Sequence, residues 1–112
     1  MAKTRWITEM GMGVDVHGGD YTKAARRAVS DALRHSSLNL FNATGKTVHD
    51  MFVDVVISAA EPDQVDCDAV AEEVPYGTVT VRAEKGGLNV TAPSGDDVLI
   101  MANAAILVSF ED

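Results

Sequence analysis

Residues 11–31 read GMGVDVHGGDYTKAARRAVSD, and the fold follows from how that stretch is parsed. A glycine-spaced approach leads through Asp15 and His17 into a Gly18-Gly19 turn, and a helix follows. In that helix Ala25, Ala28, Val29, Ala32 and Leu33 fall at i, i+3, i+4, i+7 and i+8, so one face is buried. Alanine dominates the stripe, which lets the helix lie close against a sheet. Lys23, Arg26, Arg27, Ser30, Asp31 and Arg34 occupy the opposite face. Asp20 or Thr22 is placed to cap the start, and the spacing carries the helix to about His35.

Working outward, residues 5–12 predict a first strand. Trp6, Thr8, Met10 and Met12 alternate with Ile7, Glu9 and Gly11, and apolar groups on both sides suggest an interior strand. Gly11 and Gly13 then interrupt it, as at a bulge, a bend or a close backbone approach. Residues 35–45, HSSLNLFNATG, read as a helix end and loop. MFVDVVIS, residues 51–58, alternates as a second strand. Glu61-Pro62-Asp63 breaks it, and a second helix follows, capped by Asp66, stapled by Val65 and Val70, and ended at Val74-Pro75. Residues 78–84 and 88–92 predict two strands joined as a hairpin by Lys85-Gly86-Gly87. Residues 98–110 are apolar on every side except at Asn103 and Ser109. They read mainly as strand with a bend near Asn103, a helical first half being the alternative.

The order is β-α-β-α-β-β-β within a single domain, residues 1–112. It predicts an α+β two-layer sandwich, with both helices on one face of a mixed sheet. The other face then carries uncovered apolar residues, and a homo-oligomer interface is the natural cover.

Composition narrows the function classes. Hydrophobic residues are 46% of the chain and aromatic residues only 5%, so the core is built from Val, Ile, Leu, Ala and Met. No apolar run reaches the roughly 18 residues of a membrane span, and the start MAKTRWITEM has no apolar signal core. One cysteine, Cys67, allows no internal disulfide, which fits a cytoplasmic location. Net charge is −8, with residues 1–49 at +3 and residues 50–112 at −11. That asymmetry suggests one basic site on an acidic body, and the acidic body argues against nucleic acid as a partner.

The chemistry concentrates in the opening stretch. Asp15 and His17, two apart, project to the same side if extended, as a metal pair, an acid–base pair or a plain hydrogen bond. Two such ligands are short of the four a structural zinc takes, so no bound metal is expected. No cofactor is indicated. The glycines fail both phosphate-loop patterns: Val16 stands where a dinucleotide fingerprint needs glycine, and Gly19 where a Walker loop needs lysine. Lys23, Arg26 and Arg27 lie in the first two helical turns, where the macrodipole disfavours cations by about 0.3–1 kcal/mol each. An offsetting anion at the helix start is therefore expected, alongside an i, i+4 pair of Arg27 with Asp31. This reading makes His17 an acid–base group oriented by Asp15. Gly11, Gly13, Gly18, Gly19, Thr22, Lys23 and Arg27 then line a site for a small anionic or carbonyl metabolite. The alternatives are a non-catalytic oligomer whose glycine loop packs an interface, and a metal-dependent hydrolase. Asp54, among valines, calls for a partner such as Lys23 or Arg27. His35 reads as a helix cap, and His49 as a loop residue able to join His17.

GMGVDVHG, residues 11–18, resembles the GxGxDxHG hallmark of a small family of bacterial and plant conserved hypothetical proteins, through Gly11, Gly13, Asp15, His17 and Gly18. The helix TKAARRAVSDALRHSSL and the PYG and GGL stretches at 75–77 and 86–88 extend the resemblance over most of the chain. It implies no activity, since that family's function is unassigned. A weaker likeness is to the repeated units of ring-opening amidohydrolases, cyanuric acid hydrolase and barbiturase. Those units use Ser–Lys pairs; Lys23 is present, but no serine stands in a matching motif, so no catalytic role carries over.

Overall fold

The structure, a computed structural model, describes residues 2–35 and 44–112. Its elements are β1 (Lys3–Asp15), α1 (Tyr21–Leu33), a 3-10 turn (Val48–Asp50), β2 (Phe52–Ala59), a second 3-10 turn (Pro62–Gln64), α2 (Cys67–Ala71), β3 (Thr78–Lys85), β4 (Leu88–Thr91) and β5 (Val98–Glu111). The class is α+β, as expected. Asp20 caps α1 by accepting the Lys23 N–H at 3.0 Å, and Asp66 caps α2 through the Ala69 N–H at 3.1 Å. The helix α1 stops two residues short of the expected His35. Most of the loop expected at 35–45 lies outside the described residues.

The sheet runs β1-β5-β2-β3, with β4 on β5 beyond the end of β2. β5 is antiparallel to β1, β2 and β4, and β2 is parallel to β3. The apolar run at 98–110 is thus one continuous strand at the centre of the sheet, neither helical nor broken at Asn103. A strand with neighbours on both sides needs apolar residues on both faces, which is why its period is hard to read.

Three expectations are corrected. Among the described residues β1 is an edge strand, paired only with β5. Its two-sided apolar pattern reflects a helix on one face and an uncovered apolar patch on the other. Nor do Gly11 and Gly13 end it, because the strand runs on to Asp15. The third correction is that β3 and β4 form no hairpin. At Gly86-Gly87 the chain crosses the end of β2, with Gly86 N–H donating to Ala59 O at 2.9 Å and Gly87 N–H to Ser58 Oγ at 2.8 Å. A Cβ on Gly86 would lie 2.1 Å from Ser58 Oγ, and one on Gly87 2.4 Å from Met101 O. The glycine pair serves a crossover, and β4 then pairs with β5 through the 92–97 turn.

The core lies between the helices and one sheet face. Val53, Val55, Ile57, Ile100, Ala102, Ala104 and Ile106 meet Ala24, Ala25, Ala28, Val29 and Ala32 of α1, with Val65 and Val70 from the α2 side. Small residues face small residues where α1 crosses β1. A Cβ on Gly11 would sit 2.4 Å from Ala32 N, and one on Gly13 2.2 Å from Ala24 O. Helix backbone rests directly on strand backbone, which only glycine permits.

Candidate functional site

Because α1 lies on Gly11 and Gly13, its first turns reach the end of β1. Asp15, the last residue of β1, is 2% exposed and points into that junction. Its Oδ2 accepts the Asp20 N–H at 2.9 Å. Its Oδ1 lies 3.5 Å from Lys23 Nζ and 3.9 Å from the Arg27 guanidinium. Arg27 also donates to the Val14 carbonyl at 2.6 Å. The anion that the cations of α1 require is therefore supplied by the chain itself. The short separation of a buried carboxylate from two half-exposed cations satisfies the charge that burial would otherwise leave unpaired.

His17 is placed differently. β1 has ended, so the same-side relation of residues two apart no longer holds, and no Asp15–His17 pair forms. The His17 side chain is 86% exposed, and its Nδ1 lies 2.8 Å from Asp97 Oδ2. Asp97 also accepts the N–H groups of Val98 and Gly18. The His17 contact above all, with the Val98 N–H next, holds the Asp97 carboxyl below its usual range. Gly18 and Gly19 adopt φ of +92° and +62°, the left-handed region in which a side chain is strained. Together with Thr91, Gly95, Asp96 and Val98 they border a shallow depression of about 500 Å³ beside Asp97. Asp97 escaped the sequence reading; its only signal was an acidic pair after the Pro93-Ser94-Gly95 loop.

The remaining expected site residues make contacts within the fold. Thr22 Oγ1 accepts the Asp66 N–H at 2.8 Å and faces Gln64 O at 3.4 Å, tying α1 to the start of α2. Gly11 and Gly13 are covered by α1. Asp31 turns to the Met12 N–H at 3.0 Å and to His35 at 3.6 Å rather than to Arg27. Asp54 is exposed and bonded by Thr80 Oγ1, away from Lys23 and Arg27, because it lies on the face opposite the helices. His49 stacks edge-on against Tyr76, with ring centres 6.5 Å apart. Burial, helped by Asp68 and Asp66, pushes the Cys67 thiol up, so it is not an activated nucleophile. Among the described residues no three His, Cys, Asp or Glu side chains gather closely enough to hold a metal ion. None of the described helices is long and apolar enough to cross a membrane.

The second surface of interest is the sheet face turned away from the helices. Strand register arranges it in rows: Val14–Met101–Leu88, Met12–Asn103–Ser58, Met10–Ala105–Val56 and Thr8–Leu107–Asp54. Met10 is 66% exposed, Leu88 55%, Val90 51% and Met12 49%. Charges stand at the margins of this face: Arg82 and Glu84, paired at 2.8 Å on the far strand, Asp54 beside them, and Arg5, Lys3 and Glu111 at the end where Lys3 Nζ lies 4.2 Å over the Phe52 ring.

The family model of the Lin0512 conserved hypothetical proteins matches residues 5–108. The chain belongs to that family. A solved structure, described as an FtsZ-like protein of unknown function from Nostoc punctiforme, is similar over its whole length. Identity is 36%, the TM-score is 0.88, and the match covers 100% of this chain and 99% of that one. No curated protein matches. Family and neighbour are alike of unassigned function, so any role for this chain rests on its own surface.

Proposed function

We propose that the chain is a self-assembling subunit whose open sheet face is buried against further copies of itself. The observation that supports this is the apolar patch formed by Met10, Met12, Val14, Leu88, Val90, Met101 and Leu107, interrupted at one row by Asn103 and Ser58. From Leu99 to Leu107 it runs about 27 Å along β5, and three strands make it about 14 Å wide. That is roughly 400 Å² in plan, polar Thr8, Asn103, Ser58 and Asp54 included, the size of the largest patch on a typical soluble chain, which is often functional. Two such faces, with side chains standing above the sheet, bury an area on the order of the ~1,200 Å² of a specific contact. The polar side chains Asp54, Thr80, Arg82 and Glu84 border the patch as an interface rim does. Light scattering at micromolar concentration should give a multiple of the 11.9 kDa chain mass. Met10→Glu with Met12→Glu should return it to one chain with unchanged circular dichroism. A wild-type protein that scatters as a single chain overturns the proposal.

A second reading draws on His17. An imidazole fixed at Nδ1 by a carboxylate presents Nε2 to solvent as an acid–base group, and here a depression adjoins it. A small ligand with a carbonyl group fits this better than an anion, because Asp96 and Asp97 border the depression. Anion binding at Lys23 and Arg27 requires the ligand to compete with Asp15. Thermal-shift measurements with small carbonyl compounds and with phosphate separate these; a ligand held at His17 should lose its shift in His17→Ala.

A further inference from the structure

We infer that charged side chains on α1 seal the free edge of β1, so that the sheet cannot be extended from copy to copy through that strand. Among the described residues the sheet has open edges at β1, at β3 and at the short β4. A subunit with two or more such edges can join edge to edge without closing, giving an endless sheet. Along β1, alternate residues turn their backbone groups outward. Met12 N–H is bonded outside the sheet, to Asp31, so Thr8, Met10, Met12 and Val14 are the outward set. The Val14 carbonyl, in the same set, is taken by Arg27 at 2.6 Å.

These contacts are in register. α1 runs antiparallel to β1, with Ala24–Ala28 over Gly13 and Ala28–Ala32 over Gly11. Four helical residues rise about 6 Å, and two strand residues span about 6.8 Å. Side chains one turn apart on α1 thus match every second residue of β1. Arg27 reaches Val14 and Asp31 reaches Met12 on the outward edge, flanked by Lys23 on the buried Asp15 and by His35 on Asp31 at 3.6 Å. Only the close approach over Gly11 and Gly13 lets a side chain as short as Asp31 reach the strand's outer edge. An incoming strand would have to strip two bonded backbone groups and displace charged side chains. The apolar face meets no such barrier. A second copy is therefore the occupant of the face, which is uncharged at its centre and able to match itself about a two-fold axis.

Where copies meet rests on the self-association proposed above; the seal itself does not, and hydrogen exchange on the wild-type protein tests it directly. The Met12 amide should exchange slowly, and the outward amides of Thr8 and Met10 quickly, at any protein concentration. Fast exchange at Met12, or protection of Thr8 and Met10 that grows with concentration, overturns the inference. The double variant Arg27→Ala, Asp31→Ala should form species larger than the wild-type assembly, increasing with concentration and retaining strand content. An unchanged mass overturns it. Met10→Glu with Met12→Glu should weaken wild-type association about 30-fold or more, as loss of interface anchors does, without stopping the open-ended growth of the edge variant. Wild-type protein that is a single chain while the edge variant assembles would remove the face-to-face proposal and leave the seal standing.

Discussion

The two faces of β1 carry opposite solutions to the same problem. On the helix side stand Gly11, Gly13 and Asp15, two with no side chain and one buried. On the other stand Met10, Met12 and Val14, interleaved with them and left largely to solvent. The helix explains the first set, since α1 backbone occupies the space in which side chains would stand. Nothing within the described chain explains the second, since Met12 could be threonine and still keep the strand. What differs is the neighbour: this chain supplies one on the helix side, and the proposed assembly supplies one on the open side.

Exchanging residues between the two faces should have very unequal costs. Gly13→Val should destabilise by at least about 4 kcal/mol, because its Cβ meets helix backbone that has no rotamer with which to retreat. Met12→Gly, one residue away, should lower stability of the single chain by only about 1 kcal/mol, while weakening association. Urea titration of both variants under monomeric conditions checks the difference. A mild Gly13→Val would mean that α1 can lift from β1, and the edge seal would fail with it.

Asp15→Ala is next in size. It removes the carboxylate that pairs with Lys23 and Arg27 and accepts the Asp20 N–H. A loss of about 2 kcal/mol is expected in chemical denaturation, at the low end for a buried pair because both cations are half exposed. Asp15→Asn should recover part of it through the retained acceptor. These changes act on the helix side and should leave the mass of the assembly unaltered.

How far the sequence disclosed this division depends on which neighbour a residue answers to. The α1 stripe and the Asp66 cap were legible because each answers to residues close in sequence, the cap of α1 was narrowed to Asp20 or Thr22, and the alternation of β2 and β3 was legible from its period alone. The uncovered apolar face was legible too, as a surplus of apolar residues over helices to cover them. The edge position of β1 was not, since an apolar residue against a missing partner reads like one against a real one. The Gly86-Gly87 crossover was misread as a hairpin because a glycine pair permits both, and the choice lies with Ser58 and Met101 far along the chain. The candidate site suffered in the same way. Asp15 and His17 are adjacent in the sequence pattern, yet their partners, Lys23 and Asp97, lie on different elements.

Salt should act on the repulsion between copies and leave the apolar contact untouched. Each chain carries a net charge of −8, so copies repel at long range while the centre of the open face is uncharged. Raising ionic strength screens the repulsion and leaves the apolar contact intact. Association should strengthen roughly fivefold between about 0.05 and 0.5 M sodium chloride, as followed by sedimentation. Weakening with salt would point to a contact made through charges, and hence to the β3 rim or the α1 row.

The smallest effect is expected at the turn beyond the strand, which belongs to neither face. The Asp97 carboxyl is held below its usual range first by His17, then by the Val98 N–H, against a small opposing effect of burial. Its protons therefore bind more weakly in the folded chain than in the unfolded one. The stabilisation it brings is complete above the ordinary carboxylate range and fades as pH falls through the lower, folded value. Asp97→Asn should flatten the acid limb of a stability-against-pH curve below about pH 4, leaving the curve near neutrality only slightly lower. His17→Ala should flatten it less, since the Val98 and Gly18 N–H groups still hold the carboxylate. Neither variant should change the assembly or the exchange rate of the Met12 amide. If either does, the glycine turn is part of the contact between copies, and the division between a helix face and an assembly face would have to be redrawn to include it.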